Sequence, residues 1–383
     1  MALVRAVIGE PAVLVLNAGS SSLKASVIDA GERTPAAATM PWDGEPSGAA
    51  AALDAVLAAA AVDARAIGAV GHRVVHGGTA FTAPARVSDE MLGRLAAVRS
   101  LAPLHNALAE AVIAAARARF PIVPHVASFD TAFHAALPPA AWRYPLPWSW
   151  YEDWGVRRFG FHGLSVQWAV RRAAELLRRR AADLGVVVAH LGSGCSVTAV
   201  WRGSSADTSM GMTPLEGLMM ATRSGSVDPG ILLAVQQRHG ISAADLEHVL
   251  ERGSGLLGVA GTADMRDVLE RSGQGDERAR LALELFVRRV AAGIAAATTA
   301  LPRLDAVVFT GGIGEGSAAV RASVCARLAT LGIARVEARD VAIDAVLDGR
   351  RGGGPAVLRI EAREDLVVAG EVRALLRAAS SGG

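Results

Sequence analysis

Short β-rich apolar runs that end in glycine alternate along this chain with longer Ala/Arg/Leu segments of helical period. Residues 12–29, AVLVLNAGSSSLKASVID, predict a strand, a tight turn and a second strand, and residues 184–203, LGVVVAHLGSGCSVTAVWRG, predict the same unit again. Residues 304–328, LDAVVFTGGIGEGSAAVRASVCARL, predict a buried strand, a glycine loop and a helix. The run VVVAHL is apolar on both alternating faces, as a central strand covered on two sides must be. The segments AEAVIAAARARF and ALELFVRRVAAGIAAATTAL supply the covering helices. Because the strand–glycine turn–strand unit occurs once in each half, the pattern predicts one fold used twice. The halves part near the Pro/Trp-rich residues 137–155, LPPAAWRYPLPWSWYEDWG, which read as a packed cap or a subunit interface rather than a flexible linker. The tail from residue 350 predicts a glycine turn, a strand and a last helix, with SSGG at the end disordered.

Length and composition sharpen this picture. The 383 residues are too many for one comfortable core, and 51% of them are hydrophobic, so two domains are expected. A net charge of +2 gives no support to a nucleic-acid surface. The arginines at 171–172 and 178–180 lie on a helical segment, where a solvated face is the ordinary explanation. Two cysteines, Cys195 and Cys325, make neither a disulfide framework nor a metal spacing, which fits a reducing, cytoplasmic setting. The first twenty residues lack the long apolar stretch of a signal peptide, and no apolar run approaches the roughly 20 residues that span a bilayer. In a composition biased toward Ala, Arg and Gly, Lys24 is the only lysine, and Asn17 and Asn106 are the only asparagines. Two of these three stand in one strand–turn–strand.

Small residues in such a turn let backbone N–H groups approach an anion closely, and Asn17, Ser20, Ser21, Ser22 and Lys24 add donors and charge. Alone, NAGSSS fits a polar β-turn as well as an anion loop. HLGSGCS (His190–Ser196) and TGGIGEG (Thr310–Gly316) tip the balance, since three close-approach loops suit a polyphosphate. No GxxxxGK[ST] pattern is present. Arg73 in GHRVVHGG and Arg223 in TRSGSVDPG stand in glycine-dense loops, where guanidinium groups clamp carboxylates and phosphates. Asp130 follows an apolar run in SFDTAFH, and His162 stands between glycines in RRFGFHGLS. A solitary histidine is most often structural, so His162 gains weight only from its company.

The stretches LNAGSSSLK, GHRVVHGG, LAPLHN, FDTAFH, RRFGFHGLS, HLGSGCS, DTSMGMTPLEGLMMATRSGSVDPG, GTADMRDV and FTGGIGEGS follow one another in a known order. Together they resemble the acetate kinase family of the acetate and sugar kinase, heat-shock cognate and actin superfamily. The match is poorest over 31–66 and the last forty or so residues. The resemblance implies an α/β protein of two domains on a duplicated RNase H-like (actin/hexokinase-type) fold, with the active site in the interdomain cleft. It implies a first domain of 1–131 plus a returning helix at 367–383, a nucleotide-binding domain of 132–366, and a homodimer. The reaction it implies is Mg²⁺-dependent transfer of the ATP γ-phosphoryl to acetate, giving acetyl phosphate and ADP, with Mn²⁺ as a substitute metal. A short carboxylic acid is already ionised at neutral pH, so no general base is required, and catalysis reduces to positioning and charge neutralisation.

By the same resemblance, Arg73, Asp130, His162 and Arg223 are catalytic, and Arg73 also binds the acid. Arg73 and Arg223 address the carboxylate and the transferring phosphoryl, His162 donates to equatorial oxygens, and Asp130 orients Arg73 or holds Mg²⁺ through water. Val75, Leu104, Phe161 and Pro214 form the apolar acid pocket, with residue types found in acetate-specific members. Asn17, Ser20, Lys24, His190, Gly192, Ser193, Gly194, Asp264, Arg266, Gly311, Gly312 and Gly314 bind nucleotide, Asn17 and Glu364 the metal, and His105 supports the cleft. Three motifs depart from the family pattern: Ser193 and Gly316 replace asparagines, and Arg363–Glu364–Asp365 replaces NEE. These departures keep open a nucleotide-binding homologue without transfer chemistry; within the enzyme class, where one methylene separates the acids, a kinase for propionate or another short acid is the alternative.

Overall fold

The structure, a computed structural model, describes residues 11–19, 22–339, 344–347 and 353–381, without the side chains of residues 103, 104 and 381. The start of the chain, Ser20 and Ser21, and the last two glycines lie outside the described residues, as does the side chain of Leu104. The chain divides into two compact units, Met1–Phe133 with Arg363–Gly383, and His134–Ala362.

In the first unit β1 (Ala12–Ala18), β2 (Ser22–Ile28) and β3 (Ala36–Pro41) form an antiparallel meander. β4 (Ile67–Val74) pairs parallel with β1, and β6 (His125–Phe129) pairs parallel with β4. The short β5 (Ala85–Arg86) closes the far edge antiparallel to β6, for an order β3-β2-β1-β4-β6-β5. The second unit repeats this wiring. β7 (Gly185–Leu191), β8 (Cys195–Trp201) and β9 (Ser204–Thr208) form the meander. β10 (Ala306–Thr310) and β12 (Ala356–Arg359) extend it in parallel, and β11 (Ala345–Val346) closes the edge, giving β9-β8-β7-β10-β12-β11. The duplication foreseen from two glycine turns therefore extends to every strand of both sheets.

Burial follows the sequence pattern. In β6 and β10 every residue is buried, as central parallel strands require, whereas β3 at a sheet edge alternates between half-buried and exposed. The helix Glu277–Thr298 buries Ala279, Ala282, Phe286, Val290, Ile294 and Ala297, a single stripe of helical period. Asp276 caps its start, accepting hydrogen bonds from Arg278 N and Ala279 N. The last helix, Glu364–Ser381, packs on β1 and β4 of the first sheet. It does so at Gly71, where a Cβ would lie 2.5 Å from Val368 Cγ1, so the missing side chain sets how closely the helix docks. That docking puts Glu364 in the first unit. Residues 137–155 are not a linker: they form the short helices Pro139–Trp142 and Trp148–Trp154 within the second unit. Arg143 lies 3.4 Å from the centre of the Trp148 ring and 4.2 Å from that of Tyr151.

Candidate active site

In the first unit the parallel strands deliver their C-terminal ends to one place. Arg73 stands near the end of β4, Asn17 near the end of β1 in direct register with it, and Asp130 just past β6. Arg73 donates from Nε to Asp130 Oδ1 at 2.9 Å and from Nη2 to Oδ2 at 2.5 Å, a bidentate pair in which Asp130 is fully buried. Its Nη1 donates to Asn17 Oδ1 at 3.0 Å, and Glu364 Oε2 lies 3.4 Å from its Nε. The Asn17 amide completes the ring by donating to Glu364 at 3.4 Å. Burial opposes charge on Arg73, but Asp130 and Glu364 more than offset it and hold the guanidinium protonated. Burial raises the Glu364 carboxyl above its ordinary range, and the Arg73 charge works against that rise. Lys24, opposite Asn17 on β2, is exposed and makes no ion pair among the described residues, while its charge also pulls the Glu364 carboxyl down. The oxygens of Glu364 and Asn17 are hard donors of the kind that Mg²⁺ takes together with water and phosphate, so the residues present fit that ion.

In the second unit His162 takes a left-handed backbone conformation, φ +59°, just before the helix Gly163–Leu177. A non-glycine residue there stores strain, a condition found where a side chain must be aimed. Its Nδ1 hydrogen-bonds Ser196 Oγ at 3.0 Å, and its ring stacks on His190 at 4.1 Å. His190 Nδ1 in turn meets Ser165 Oγ at 2.8 Å. A Cβ added at Gly194 would lie 3.2 Å from His162 Nε2 and 3.5 Å from Arg223 Nη1, so imidazole and guanidinium meet over this glycine. Arg223 is half-buried, and burial lowers its pKa. It makes no ion pair among the described residues; its Nη1 donates to Pro214 O at 3.2 Å and approaches Met220 Sδ at 3.8 Å. Cys195, beneath the same loop, is a buried thiol whose pKa burial pushes up to about 12, which removes it as a nucleophile.

Small-ligand sites are ordinarily cavities of about 300–1,000 Å³. The second unit carries one of ≈ 660 Å³, lined by Gly192, Ser193, Asp264, Arg266, Gly312 and Gly316 with Ala263, Met265, Leu269 and Ile313 among the apolar groups. Two glycine loops meet there, since a Cβ at Gly192 would lie 3.7 Å from Gly312 N. Asp264 caps the helix Met265–Gly273 and pairs with the exposed Arg266. Gly311 and Gly314, in the same turn as Gly312, are buried and do not line the cavity. Residues 311–316 form a helical turn directly after β10 instead of the expected open loop. Glu315 accounts for the difference: its Oε1 accepts Gly311 N at 2.7 Å and Ala362 N at 2.9 Å. The fully buried Arg321 then donates to the carbonyls of Gly314 and Glu315. Together these bonds offset the glycine entropy cost of the turn.

The apolar candidates fall in different units. Val75 is buried directly after β4 in the first, and Phe161 and Pro214 are buried in the second. His105 is half-buried in the first turn of the helix Pro103–Arg119. Its neighbour Asn106 is fully buried and accepts from His76 N at 3.2 Å while donating to His76 O at 2.9 Å. Sequence reasoning passed over Ser165, Ser196, Glu315 and Arg321. Only Glu315 left a local signal, a carboxylate four residues after the first glycine of its own motif. The serines act through tertiary pairing that spacing does not display.

A family model described as the Acetokinase family matches residues 32–370. An acetate kinase of Synechococcus sp. (strain JA-2-3B'a(2-13)) is 49% identical over 313 residues, covering 81% of this chain and 77% of that protein. A propionate kinase of Klebsiella pneumoniae (strain 342) is 46% identical over 352 residues, covering 86% and 87%. Among solved structures, the crystal structure of Porphyromonas gingivalis acetate kinase superposes with a TM-score of 0.86 at 31% identity, covering 96% of this chain and 100% of that one.

Proposed function

This chain belongs to the acetokinase family, kinases that act on a carboxyl acceptor, and from that premise we propose that it transfers the γ-phosphoryl of ATP to acetate through the residues just described. One observation carries the reading of the site. Arg223 is a half-buried guanidinium without an ion-pair partner among the described residues, set with His162 over a glycine loop that also lines the cavity. Burial disfavours its charge and, among the described residues, only Glu251 and Cys195 act against that, so an arriving anion gains by pairing with it.

The acid enters as a carboxylate. One of its oxygens attacks the γ-phosphorus as the bond to the β,γ-bridging oxygen breaks, so acyl phosphate and ADP form with no proton removed from the nucleophile. Arg73, held rigid by Asp130 and Asn17, binds the acid, and Arg223 and the His162 Nε2 stabilise the equatorial oxygens as charge shifts. Mg²⁺, held by Glu364 with Asn17, would neutralise phosphate charge when bound. His190 and Ser196 fix the His162 ring, while Gly192, Ser193, Gly194, Asp264, Arg266, Gly311, Gly312 and Gly314 form or frame the nucleotide site, with Ser20 and Lys24 adding donors. Val75, Leu104, Phe161 and Pro214 limit the acid to a short chain.

A kinase for propionate is the second reading, favoured by the propionate kinase relative. One methylene is worth only about 1–3 kcal/mol in an apolar pocket, so propionate is expected as a slower substrate. Comparing kcat/KM for acetate and propionate decides the order. The protein acts as a cytoplasmic homodimer without nucleic acid or membrane. Exposed Trp148, Trp154, Ile231 and Leu233 on the second unit support self-association, and among the described residues no helix is long and apolar enough to cross a membrane. Hydroxylamine trapping of acyl phosphate from ATP, Mg²⁺ and acetate tests the proposal; no trapped product with any acid of two to four carbons overturns it.

A further inference from the structure

The segment Ser209–Gly217 of the second unit has no regular secondary structure, yet every stretch of it is tied down. Ser209 N donates to Val197 O at 2.9 Å, and its Oγ accepts from Val197 N at 2.9 Å. Arg158 Nη1 donates to the carbonyls of Ser209, at 3.0 Å, and Met210, at 2.8 Å. The Gly211 carbonyl accepts from Phe159 N and Gly160 N. Tyr144 Oη accepts from Met212 N at 3.0 Å and donates to Glu216 Oε2. The other Glu216 oxygen accepts from Arg158 Nη2 at 2.8 Å. Gly217 is fixed beyond that by Ser226, whose Oγ accepts from Gly217 N at 3.1 Å. A Cβ at Gly211 would collide with Glu216 Oε2 and Tyr144 Oη, so these two side chains keep their present places only over a glycine.

Within this clasp lies Pro214, two residues from the Met212 anchor and two from Glu216. Among the described residues its carbonyl is the one oxygen to which Arg223 Nη1 donates, the other acceptor in reach being the weak thioether of Met220. We propose that Tyr144, Glu216 and Arg158 are positioning residues for the transfer reaction, aiming the Arg223 guanidinium by fixing the Pro214 carbonyl. This rests on the reading of Arg223 given above. A guanidinium without a carboxylate to orient it takes its direction from whatever carbonyl it reaches, so slack in that carbonyl becomes slack at the phosphoryl. Misplacement by about 1 Å can cost on the order of 100-fold in rate, which makes a remote clasp visible in kinetics. Tyr144 is suited to this place. Burial raises its pKa first of all, and the Glu216 bond adds to the rise, so it stays a neutral phenol that donates to Glu216 and accepts from Met212.

The test is a double-mutant cycle read in steady-state kinetics. Tyr144→Phe is expected to lower kcat with acetate about tenfold while the KM for ATP stays within about twofold, a split that general loosening of the fold would not give. Glu216→Gln, which keeps one acceptor, should retain more activity than Glu216→Ala. In an Arg223→Lys background, where no guanidinium remains for the Pro214 carbonyl to aim, Tyr144→Phe should cost less than about twofold, because coupled residues do not add. Full activity of Tyr144→Phe, or losses that simply multiply with Arg223→Lys, overturns the clasp. An Arg223→Lys enzyme as active as wild type would instead refute the reading of Arg223. Should Tyr144→Phe fail to fold, Glu216→Gln runs the same cycle.

Discussion

Asn17 and Asn106 are the only two asparagines of the chain, and they serve different ends. The Asn17 amide stands between Arg73 and Glu364, where a donor and an acceptor on one short side chain are both used. The Asn106 amide is spent on the backbone of His76, both bonds lying in the buried interior. Replacing Asn106 by Leu orphans a buried N–H and C=O, so unfolding free energy should fall by about 3 kcal/mol, measured by urea denaturation at pH 7. Unchanged stability would remove Asn106 from the framework. Their rarity was legible in the sequence; which one supports the fold was not, because only tertiary contact shows that the Asn106 amide faces a neighbouring turn. Lys24 is plain in its placement opposite Asn17, on the exposed face of β2.

At the scale of elements, the glycine turns announced where each sheet would begin, and β1–β2 and β7–β8 stand where alternation placed them. The turn at 311–316 escaped that reasoning, since a helical turn rich in glycine is held by Glu315 and the distant Arg321 rather than by propensity. Strand neighbours also brought together a pair that no local pattern reveals. His72 on β4 and His125 on β6 are buried, with His72 Nε2 and His125 Nδ1 3.0 Å apart and His125 Nε2 on the Phe120 carbonyl. His72 Nδ1 is buried with no hydrogen-bond partner among the described residues, so a proton there is not stabilised by one of them. Burial, with a smaller contribution from His125, lowers the pKa of His72 to about 3. The unfolded chain takes up that proton near the ordinary value of 6.5, so the contribution is fully present above pH 6.5 and is lost as pH falls toward 3. His72→Gln, which can still donate to His125, should flatten this acid limb, leaving the variant's loss of stability from pH 7 to pH 5 about 2 kcal/mol smaller than that of wild type. Parallel curves would show that another group sets the limb.

For the whole molecule, the duplicated wiring of the two sheets and the family membership were both legible from motif order, because each glycine motif marks the end of a strand. What motif order lacked was the pairing between motifs: Ser196 with His162, and Tyr144 and Arg158 with Glu216. The exposed tryptophans of the second unit belong to this scale as well. Sedimentation equilibrium should give twice the chain mass, and Trp148→Glu with Trp154→Glu should shift it toward the monomer. A monomeric wild type would refute the dimer.

The central claim is that fixed guanidinium groups overcome the repulsion of two anions. Its most direct test is acyl phosphate formation from ATP, Mg²⁺ and acetate by wild type, Arg73→Ala and Arg223→Ala, with thermal melting run on each. Loss of at least about 100-fold in kcat/KM for either variant, with the melting transition kept, is the predicted result. Wild-type turnover in either folded variant would contradict it.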